Sequence, residues 1–580
     1  MDLNFSNLNN LWASVLIETL ARLGLQAAVI CPGSRSTPLT VALARHSQIK
    51  TIPILDERSA AFFALGLAKS SGLPTVLVCT SGTAGANFYP AVIEAYQSAV
   101  PLIIFTGDRP PELRDCHSGQ TIDQIKLFGN FAQWFSEMAT PIASVEMLRY
   151  ARQTMVQAWR RSQFPQQGVV HLNCPFRDPL APIDDGSVLH LKNEITADFF
   201  AGIQPQPKAA FSTDILPIEV WKNYSRGLII AGVDAPADPE GYCQAIAQLS
   251  GYLSFPVLAE ALSPVRNYAH YFPQGLVTTY DFMLRDQAQA EALQPEIVIQ
   301  IGALPTSKVL RAWLEKQQIQ TYILSERADN VDPLHRPHQH LAVNLRFFKY
   351  LDIFPDNQKG LAYFGLWQSQ QNKIQSKIEA IFQGEIKLRE GAIAYHLSRH
   401  LPAQTAVFLA NSMVVRYAEF FWQLNAKQIL PYFNRGANGI DGTLSTALGI
   451  AENHSPCVLL TGDLALLHDT NGFLTLSKFT GSLTIIVVNN QGGGIFEMLP
   501  IAAAQDVFED YFATPQTVQF SKLCDLYGVA YHKIQTKIDL IQACENLPSQ
   551  GVQLLEITTD RHQDIAWLKN LLQGFQITRN

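Results

Sequence analysis

Asp463 and Asn490 stand 27 positions apart in a chain of 580 residues, each just past an apolar run. The run CVLL (457–460) leads through Thr461 into Gly462-Asp463. The run at 483–488 leads into Asn489-Asn490-Gln491-Gly492-Gly493-Gly494. The spacing is that of one strand–helix–strand unit. In an open parallel sheet such a unit delivers polar strand ends to one edge, where ligands bind. A carboxylate and an amide oxygen there are hard ligands, suited to Mg²⁺ shared with a phosphate. The glycines let backbone N–H and C=O groups approach that ligand closely.

A second chemistry-bearing set is cationic. Arg35 sits in GSRS, Arg109 and Arg114 in GDRPPELR, Arg416 in NSMVVR and Arg435 in NRGANGIDG. Lys308 follows the run EIVIQIG. A guanidinium fork matches carboxylate oxygens, so this cluster predicts substrates carrying several carboxylates.

The elements that must position these residues follow from periodicity. A helix is predicted over Leu8–Leu23, and strands at 27–31, 51–55, 75–79 and 102–105. DERS (56–59) opens an Ala-rich helix running through Ala68. Strands alternating with helices imply a parallel, doubly wound sheet with functional loops at the strand C-termini. A second α/β segment has strands at 227–231, 296–301 and 321–324. The Pro-rich stretch 181–217 reads as a linker, and the polar stretch 354–387 as a connector with a solvated helix.

The third segment repeats the first. ALGLA (64–68) precedes VLVCTSG (76–82), and ALGIA (447–451) precedes CVLLTGD (457–463). Upstream, AAVIC followed by GSRS parallels AVFLA followed by Asn411-Ser412. A duplicated architecture is expected. The fold class is α/β, with three doubly wound parallel-sheet domains at 1–182, 190–355 and 375–580, the first and third similar.

Composition narrows the function classes. With 47% hydrophobic and 16% charged residues the chain reads as folded, and its length calls for several domains. A net charge of −7 argues against general nucleic-acid or membrane binding. The start MDLNFSNLNNLW lacks a basic region followed by an apolar core, and no apolar run approaches a membrane span. Eight cysteines without a CxxC pair read as buried free thiols. The expectation is a soluble, cytoplasmic protein.

The Gly-Asp and Asn-Asn pairs at this spacing resemble the thiamine-diphosphate signature, in which Asp and Asn hold the Mg²⁺ that anchors the diphosphate. Leu464 stands where that signature usually has Gly. More specifically, CPGSRSTPLT, DERSAAFFALGLAK, TSGTAGANFYPAVIEA, GDRPPELRDC, NSMVVR, FNRGANGIDG and NNQGGGIF resemble the blocks of one family. It is the 2-succinyl-5-enolpyruvyl-6-hydroxy-3-cyclohexene-1-carboxylate synthase family of menaquinone and phylloquinone biosynthesis. Its members decarboxylate 2-oxoglutarate and join the succinyl-semialdehyde unit to isochorismate by conjugate addition, using thiamine diphosphate with Mg²⁺ or Mn²⁺.

The resemblance implies a role for each matching residue. Glu57 activates the cofactor through its pyrimidine, as a desolvated carboxyl with a raised pKa. Asp463, Asn490 and the Gly492 carbonyl bind the metal. Ser81, Gly82, Gly462, Leu464, Ala465 and Ile495 contact the cofactor, and Ile440 wedges beneath it. Arg35, Arg109, Gln120, Lys308, Ser412, Arg416 and Arg435 hold substrate carboxylates and hydroxyls, with Arg35, Gln120, Arg416 and Arg435 beside the reacting centre. Phe496, with Ile495, gives that centre an apolar wall. Gly119 stands where the family often has Asn, and Val309 where some members have Arg, with Arg311 available to compensate. In the family the pyrimidine-side Glu and the metal site come from different subunits, so self-association is expected.

Two rivals stand beside this reading. One is another thiamine-dependent decarboxylase or carboligase such as an acetohydroxyacid synthase, whose smaller, less charged substrates fit the arginines poorly. The other is a nucleotide-binding protein in which glycines 492–494 cradle a dinucleotide. No GxGxxG follows the first strand and no GK[ST] loop occurs.

Overall fold

The computed structural model describes residues 3–196, 198–205, 216–317, 319–327, 329–345, 357–385 and 387–575. They fall into two compact units. One draws on residues 1–208, 434–454 and 468–481, the other on 209–433, 455–467 and 482–580.

The first unit holds a parallel sheet of β1 (Ala27–Ile30), β2 (Lys50–Pro53), β3 (Thr75–Cys79), β4 (Leu102–Asp108), β5 (Trp134–Glu137) and β6 (Val169–Pro175). Its order is β2-β1-β3-β4-β6-β5. The central strands β3, β4 and β6 are buried at every position. That is why they read as unbroken apolar runs, with both faces covered by helices. The Leu8–Leu23 helix forms as its periodicity predicts. Asn7 caps it by accepting from the Asn10 N–H, and Gly24 ends it at φ +107°. Leu11, Trp12, Val15, Leu16 and Leu20 are sealed against the sheet.

The stretch expected as a linker is partly docked instead. Val188, Leu191, Phe199 and Phe200 join the core of the first sheet. Asn9 donates to the carbonyls of Arg177 and Pro179, and Asn7 to those of Ala181 and Ile183. Polar, Pro-rich composition hid four large apolar anchors. Residues 206–215 of that stretch lie outside the described residues.

The second unit holds two sheets. One comprises β7 (Gly227–Ala231), β8 (Val257–Ala259), β9 (Leu276–Val277), β10 (Ile297–Ile301), β11 (Gln320–Leu324) and β12 (Gln339–Leu341), ordered β12-β11-β10-β7-β8-β9. The other comprises β13 (Ala406–Leu409), β14 (Leu430–Tyr432), β15 (Cys457–Gly462), β16 (Ser482–Asn489), β17 (Ala530–Ile534) and β18 (Gly551–Thr558), ordered β14-β13-β15-β16-β18-β17. Counted from their own first strands, the β1–β6 and β13–β18 sheets have the same order, as duplication requires. In the middle sheet, the segments that follow β7 and β10 are tied by paired backbone bonds between Val233 and Ala303.

The connector expected at 354–387 contains the Leu361–Gly384 helix, and it is not simply solvated. Tyr363, Trp367, Ile374, Ile378 and Phe382 form a buried stripe along it, and Gln371 on the same stripe accepts from Thr278 and Thr279. Residues 346–356 lie outside the described residues.

Within the first unit, the Glu57–Ser71 helix and the Thr443–Ala451 helix cross through their glycines. A Cβ on Gly66 would lie 2.2 Å from the Thr446 carbonyl oxygen, and one on Gly449 would lie 2.1 Å from that of Phe63. These are the matching glycines of the ALGLA and ALGIA repeats. The equivalent helices of the two repeats thus pack on each other backbone to backbone.

Candidate active site

β15 and β16 are neighbours in parallel register, with Gly462 opposite Val488, so their C-terminal ends open on one edge. Asp463 begins the helix that follows β15 and is only 5% exposed. Its carboxylate accepts the Leu464 N–H at 2.7 Å and the Gly492 N–H at 2.9 Å. Burial pushes its pKa up while these amides pull it down. Asn490, past the end of β16, donates through Nδ2 to Glu390 Oε1 at 2.7 Å. Its Oδ1 is shielded from solvent and accepts no hydrogen bond among the described residues. A Cβ on Gly462 would meet nothing within 4 Å, so space opens over this strand end.

A buried acid beside an unused, desolvated amide oxygen is a costly arrangement on its own. A divalent cation satisfies both, and the open space at Gly462 suits the phosphate it would bridge. The donor set therefore fits the expected metal.

Glu390 was not singled out by sequence, because it reaches Asn490 across 100 positions. Burial pushes its carboxyl up to about 7, opposed by the Asn490 hydrogen bond and reinforced by the Asp564 charge. Arg561, also missed, donates to the Gln491 carbonyl at 2.6 Å and pairs with Glu497 and Glu509. The amides of Gly492, Gly493 and Gly494 donate to Asp463, Ala513 and Gly492 respectively. None is left over to cradle a dinucleotide, which removes that rival.

The first unit builds a second edge. Glu57 is the first residue of its helix, whose cap Asp56 accepts the Ser59 N–H. Its flanks are pinned: Asn471 donates to Asp56 at 2.7 Å and Arg58 donates to the His468 carbonyl at 3.0 Å. Burial pushes the Cys31 and Cys79 thiols up, and the Glu57 charge adds to both, so the carboxylate stands by the ends of β1 and β3. It is half-buried in this chain, less than the large desolvation expected, because it begins its helix at the open edge of the sheet.

The loop after β3 is fixed from two sides. Gln120 donates to the Ser81 carbonyl at 3.0 Å, and Gln124 accepts the Gly82 N–H at 2.9 Å. Gly82 has φ +84°, and a Cβ there would lie 2.9 Å from Gln120 Cγ. The Ser81 hydroxyl is buried and unpartnered among the described residues. Gln124 carried no sequence signal.

Arg35 is 6% exposed and donates to the Phe176 carbonyl at 2.7 Å, while its Nε is buried without a partner among the described residues. Burial lowers its pKa and the nearby Arg109 charge lowers it further, so an anion would relieve both cations. Arg109 donates to the Gly119 carbonyl at 2.9 Å.

Other cations are accounted for differently. Arg114 pairs with Asp108 and Glu137, which removes it from the substrate cluster. Arg311 spends its guanidinium on the carbonyls of Pro305 and Leu304, so it does not stand in at Val309. Lys308 is exposed at the start of its helix.

At the end of β13, Ser412 has φ +72°, a strained conformation for a residue with a side chain. Arg416, one turn on, donates to the Ser412 carbonyl at 2.6 Å. Ala465 is buried, and Leu464 half-buried beside Asp463. Ile495 packs partly on the core, and Phe496 meets Phe512 edge-on at 5.7 Å. In the first unit, Arg435 and Ile440 are half-buried in the 434–442 loop. Glu94 holds that loop, accepting the amides of Gly436 at 3.0 Å and Ala437 at 2.7 Å.

Three family models match the chain: the N-terminal TPP binding domain of thiamine pyrophosphate enzymes over residues 12–127, their middle domain over 206–409, and their C-terminal TPP binding domain over 412–557. Curated relatives named 2-succinyl-5-enolpyruvyl-6-hydroxy-3-cyclohexene-1-carboxylate synthase align end to end. One from Gloeothece citriformis is 55% identical over 100% of both chains. One from Rippkaea orientalis is 53% identical over 99% of this chain and 97% of its own. One from Microcystis aeruginosa is 55% identical over 98% and 99%.

Proposed function

This chain belongs to the 2-succinyl-5-enolpyruvyl-6-hydroxy-3-cyclohexene-1-carboxylate synthase family of thiamine pyrophosphate enzymes, and from that premise we propose how its own residues serve the reaction. The enzyme decarboxylates 2-oxoglutarate and adds the succinyl-semialdehyde unit to isochorismate, a carbon–carbon bond-forming transfer of menaquinone and phylloquinone biosynthesis. Thiamine diphosphate, when bound, supplies the electron sink that both decarboxylation and bond formation need.

The observation that carries the assignment of residues is a buried Asp463 carboxylate and an unpartnered Asn490 Oδ1 just past the ends of the adjacent strands β15 and β16. Those two oxygens and the Gly492 carbonyl would hold Mg²⁺ or Mn²⁺, whose charge would offset that of the diphosphate. Gly462, Leu464 and Ala465 line the same strand end. On the pyrimidine side, Glu57 would hold the proton that activates the cofactor, and Ser81 and Gly82 would contact it. Ile440 would pack against the cofactor, and Ile495 and Phe496 would exclude water from the reacting centre.

Arg35, Arg109 and Gln120 hold carboxylate and hydroxyl groups at one edge, and Ser412, Arg416, Arg435 and Lys308 hold the rest. The arginines grip the carboxylates that stay, since a tight grip on the departing carboxylate would oppose loss of CO₂. Their number is what separates this substrate pair from the smaller ones of an acetohydroxyacid synthase.

We also place the domain divisions at 1–182, 190–355 and 375–580, and the enzyme in the cytoplasm as a homodimer or a dimer of dimers. No helix of the described residues is long and apolar enough to cross a membrane. Self-association follows from the family's sharing of the pyrimidine-side Glu and the metal site between subunits.

The test is direct. Purified protein is incubated with thiamine diphosphate, Mg²⁺ and 2-oxoglutarate, with and without isochorismate, following isochorismate absorbance and product mass. A succinyl adduct that forms only in the complete mixture is expected. Decarboxylation without an adduct would return the assignment to another carboligase.

A further inference from the structure

Asn490 can serve a cation only if its amide is turned the right way. The oxygen and nitrogen of an amide are nearly the same size, so hydrogen bonding alone sets which one faces the ligand. Glu390 begins the Glu390–His400 helix and is 5% exposed. Its Oε1 accepts Asn490 Nδ2 at 2.7 Å and the Thr559 hydroxyl at 3.2 Å. With Oε1 accepting from both Asn490 and Thr559, Glu390 faces the amide as a hydrogen-bond acceptor. Facing it, Asn490 must offer its NH₂, and its Oδ1 is left on the other side, shielded and without a partner among the described residues. Thr559 gives the carboxylate a second donor, so it has no need of the amide oxygen.

We propose that Glu390 is a positioning residue that fixes the Asn490 amide so that its oxygen, not its nitrogen, faces the metal. This rests on the metal assignment made above. A glutamine in place of Glu390 would remove the constraint. Its NH₂ could donate to Asn490 Oδ1 and stabilise the flipped amide, presenting two N–H groups to the cation. Residues that orient metal ligands typically cost about 10- to 100-fold in metal affinity when replaced.

The experiment measures Mn²⁺ binding to full-length protein by electron paramagnetic resonance, with thiamine diphosphate present and no substrate. Glu390→Gln should weaken Mn²⁺ binding by about tenfold or more. Its circular dichroism and thermal midpoint without metal should stay near those of the native protein. The paired variant Glu390→Gln with Asn490→Asp should recover binding, because the introduced amide then donates to one carboxylate oxygen and the other faces the metal. A purely structural role for Glu390 would not be rescued this way. Native-like Mn²⁺ affinity in Glu390→Gln would overturn the proposal, as would a loss that the paired variant fails to recover. Should Glu390→Gln alone not fold, the paired variant decides by the same two outcomes. Absence of Mn²⁺ binding by the native protein would instead overturn the metal assignment itself.

Discussion

Gly66 and Gly449 touch backbone to backbone: a Cβ on Gly66 would lie 3.0 Å from the Gly449 Cα. No side chain fits between the two helices at that point. Gly66→Ala or Gly449→Ala must push the Glu57–Ser71 and Thr443–Ala451 helices apart. Each should cost about 1–3 kcal/mol, the usual penalty of overpacking. The double variant should cost less than the sum, because one separation accommodates both methyl groups. Thermal midpoints of the three variants check this, and additive losses would disprove a shared contact.

Glu57 stands at the start of one of those helices, with Asp56 and Arg58 both pinned. Glu57→Gln keeps its shape and removes the carboxyl proton that the proposed cofactor role requires. Turnover should be nearly abolished, while circular dichroism and thermal midpoint stay within experimental error of the native protein. Full activity in that variant would sink the cofactor role.

Glu94 grips the Arg435 loop through two backbone amides and takes a third hydrogen bond from Ser98. Glu94→Gln retains one acceptor and should let the loop drift. Since small displacements of positioning groups cost on the order of a hundredfold, KM for the substrate whose carboxylate Arg435 holds should rise by about ten- to a hundredfold. KM for the other substrate should change far less. Equal effects on both substrates would assign the loop a general structural role.

His171 is buried beside Thr106, and burial lowers its pKa to about 3. Unfolded, it titrates near 6.5. Above that pH it is neutral in both states and costs nothing. Below it, the unfolded chain binds a proton that the folded chain refuses, so stability falls as pH drops from about 6.5 toward 3. The loss is about 1.4 kcal/mol per pH unit. His171→Gln cannot charge, so it should shift the urea midpoint less than the native protein between about pH 7.5 and 5.5. An unchanged pH dependence would rule His171 out as the source.

Cys116 is the exposed thiol among eight cysteines, contrary to the expectation that all are buried. It lies in the loop between Arg109 and Gln120, past the short Pro111–Leu113 turn of helix. A thiol reagent should therefore titrate one cysteine quickly in the native enzyme and the other seven only after unfolding. Cys116→Ser should abolish the fast phase.

What could be read from the chain follows physical lines. Strands β3, β4, β15 and β16 are buried along their length, and their apolar runs gave them away. Strands β5 and β17 lie at sheet edges with half-exposed patterns, and nothing in their composition marked them. The Leu361–Gly384 stripe was present at helical spacing, yet Gln371 within it and the polar face around it masked the signal. The placement of Asp463 and Asn490 at adjacent strand ends was legible because buried strands read as apolar runs that stop at the sheet edge. Glu390, Glu94 and Asn471 were not, because each acts across 100 positions or more, and sequence order does not encode such partners. Arg114 shows the converse. A lone arginine in a functional-looking loop reads alike whether it waits for a substrate or, as here, is held by Asp108 and Glu137.

The composition of the first unit also sets a timetable for synthesis. Its sheet is complete once β6 has ended at Pro175, but the helix that crosses at Gly66 comes only at Thr443–Ala451. At about 5–20 residues per second, a ribosome takes roughly 15 to 55 seconds to cover that gap. Throughout that time the surface around Phe63 and Gly66 has been made and its cover has not. Nascent chains of this enzyme therefore carry an apolar, Gly-notched helix face before its cover exists, and a chain stalled before residue 443 should aggregate more readily than the finished one.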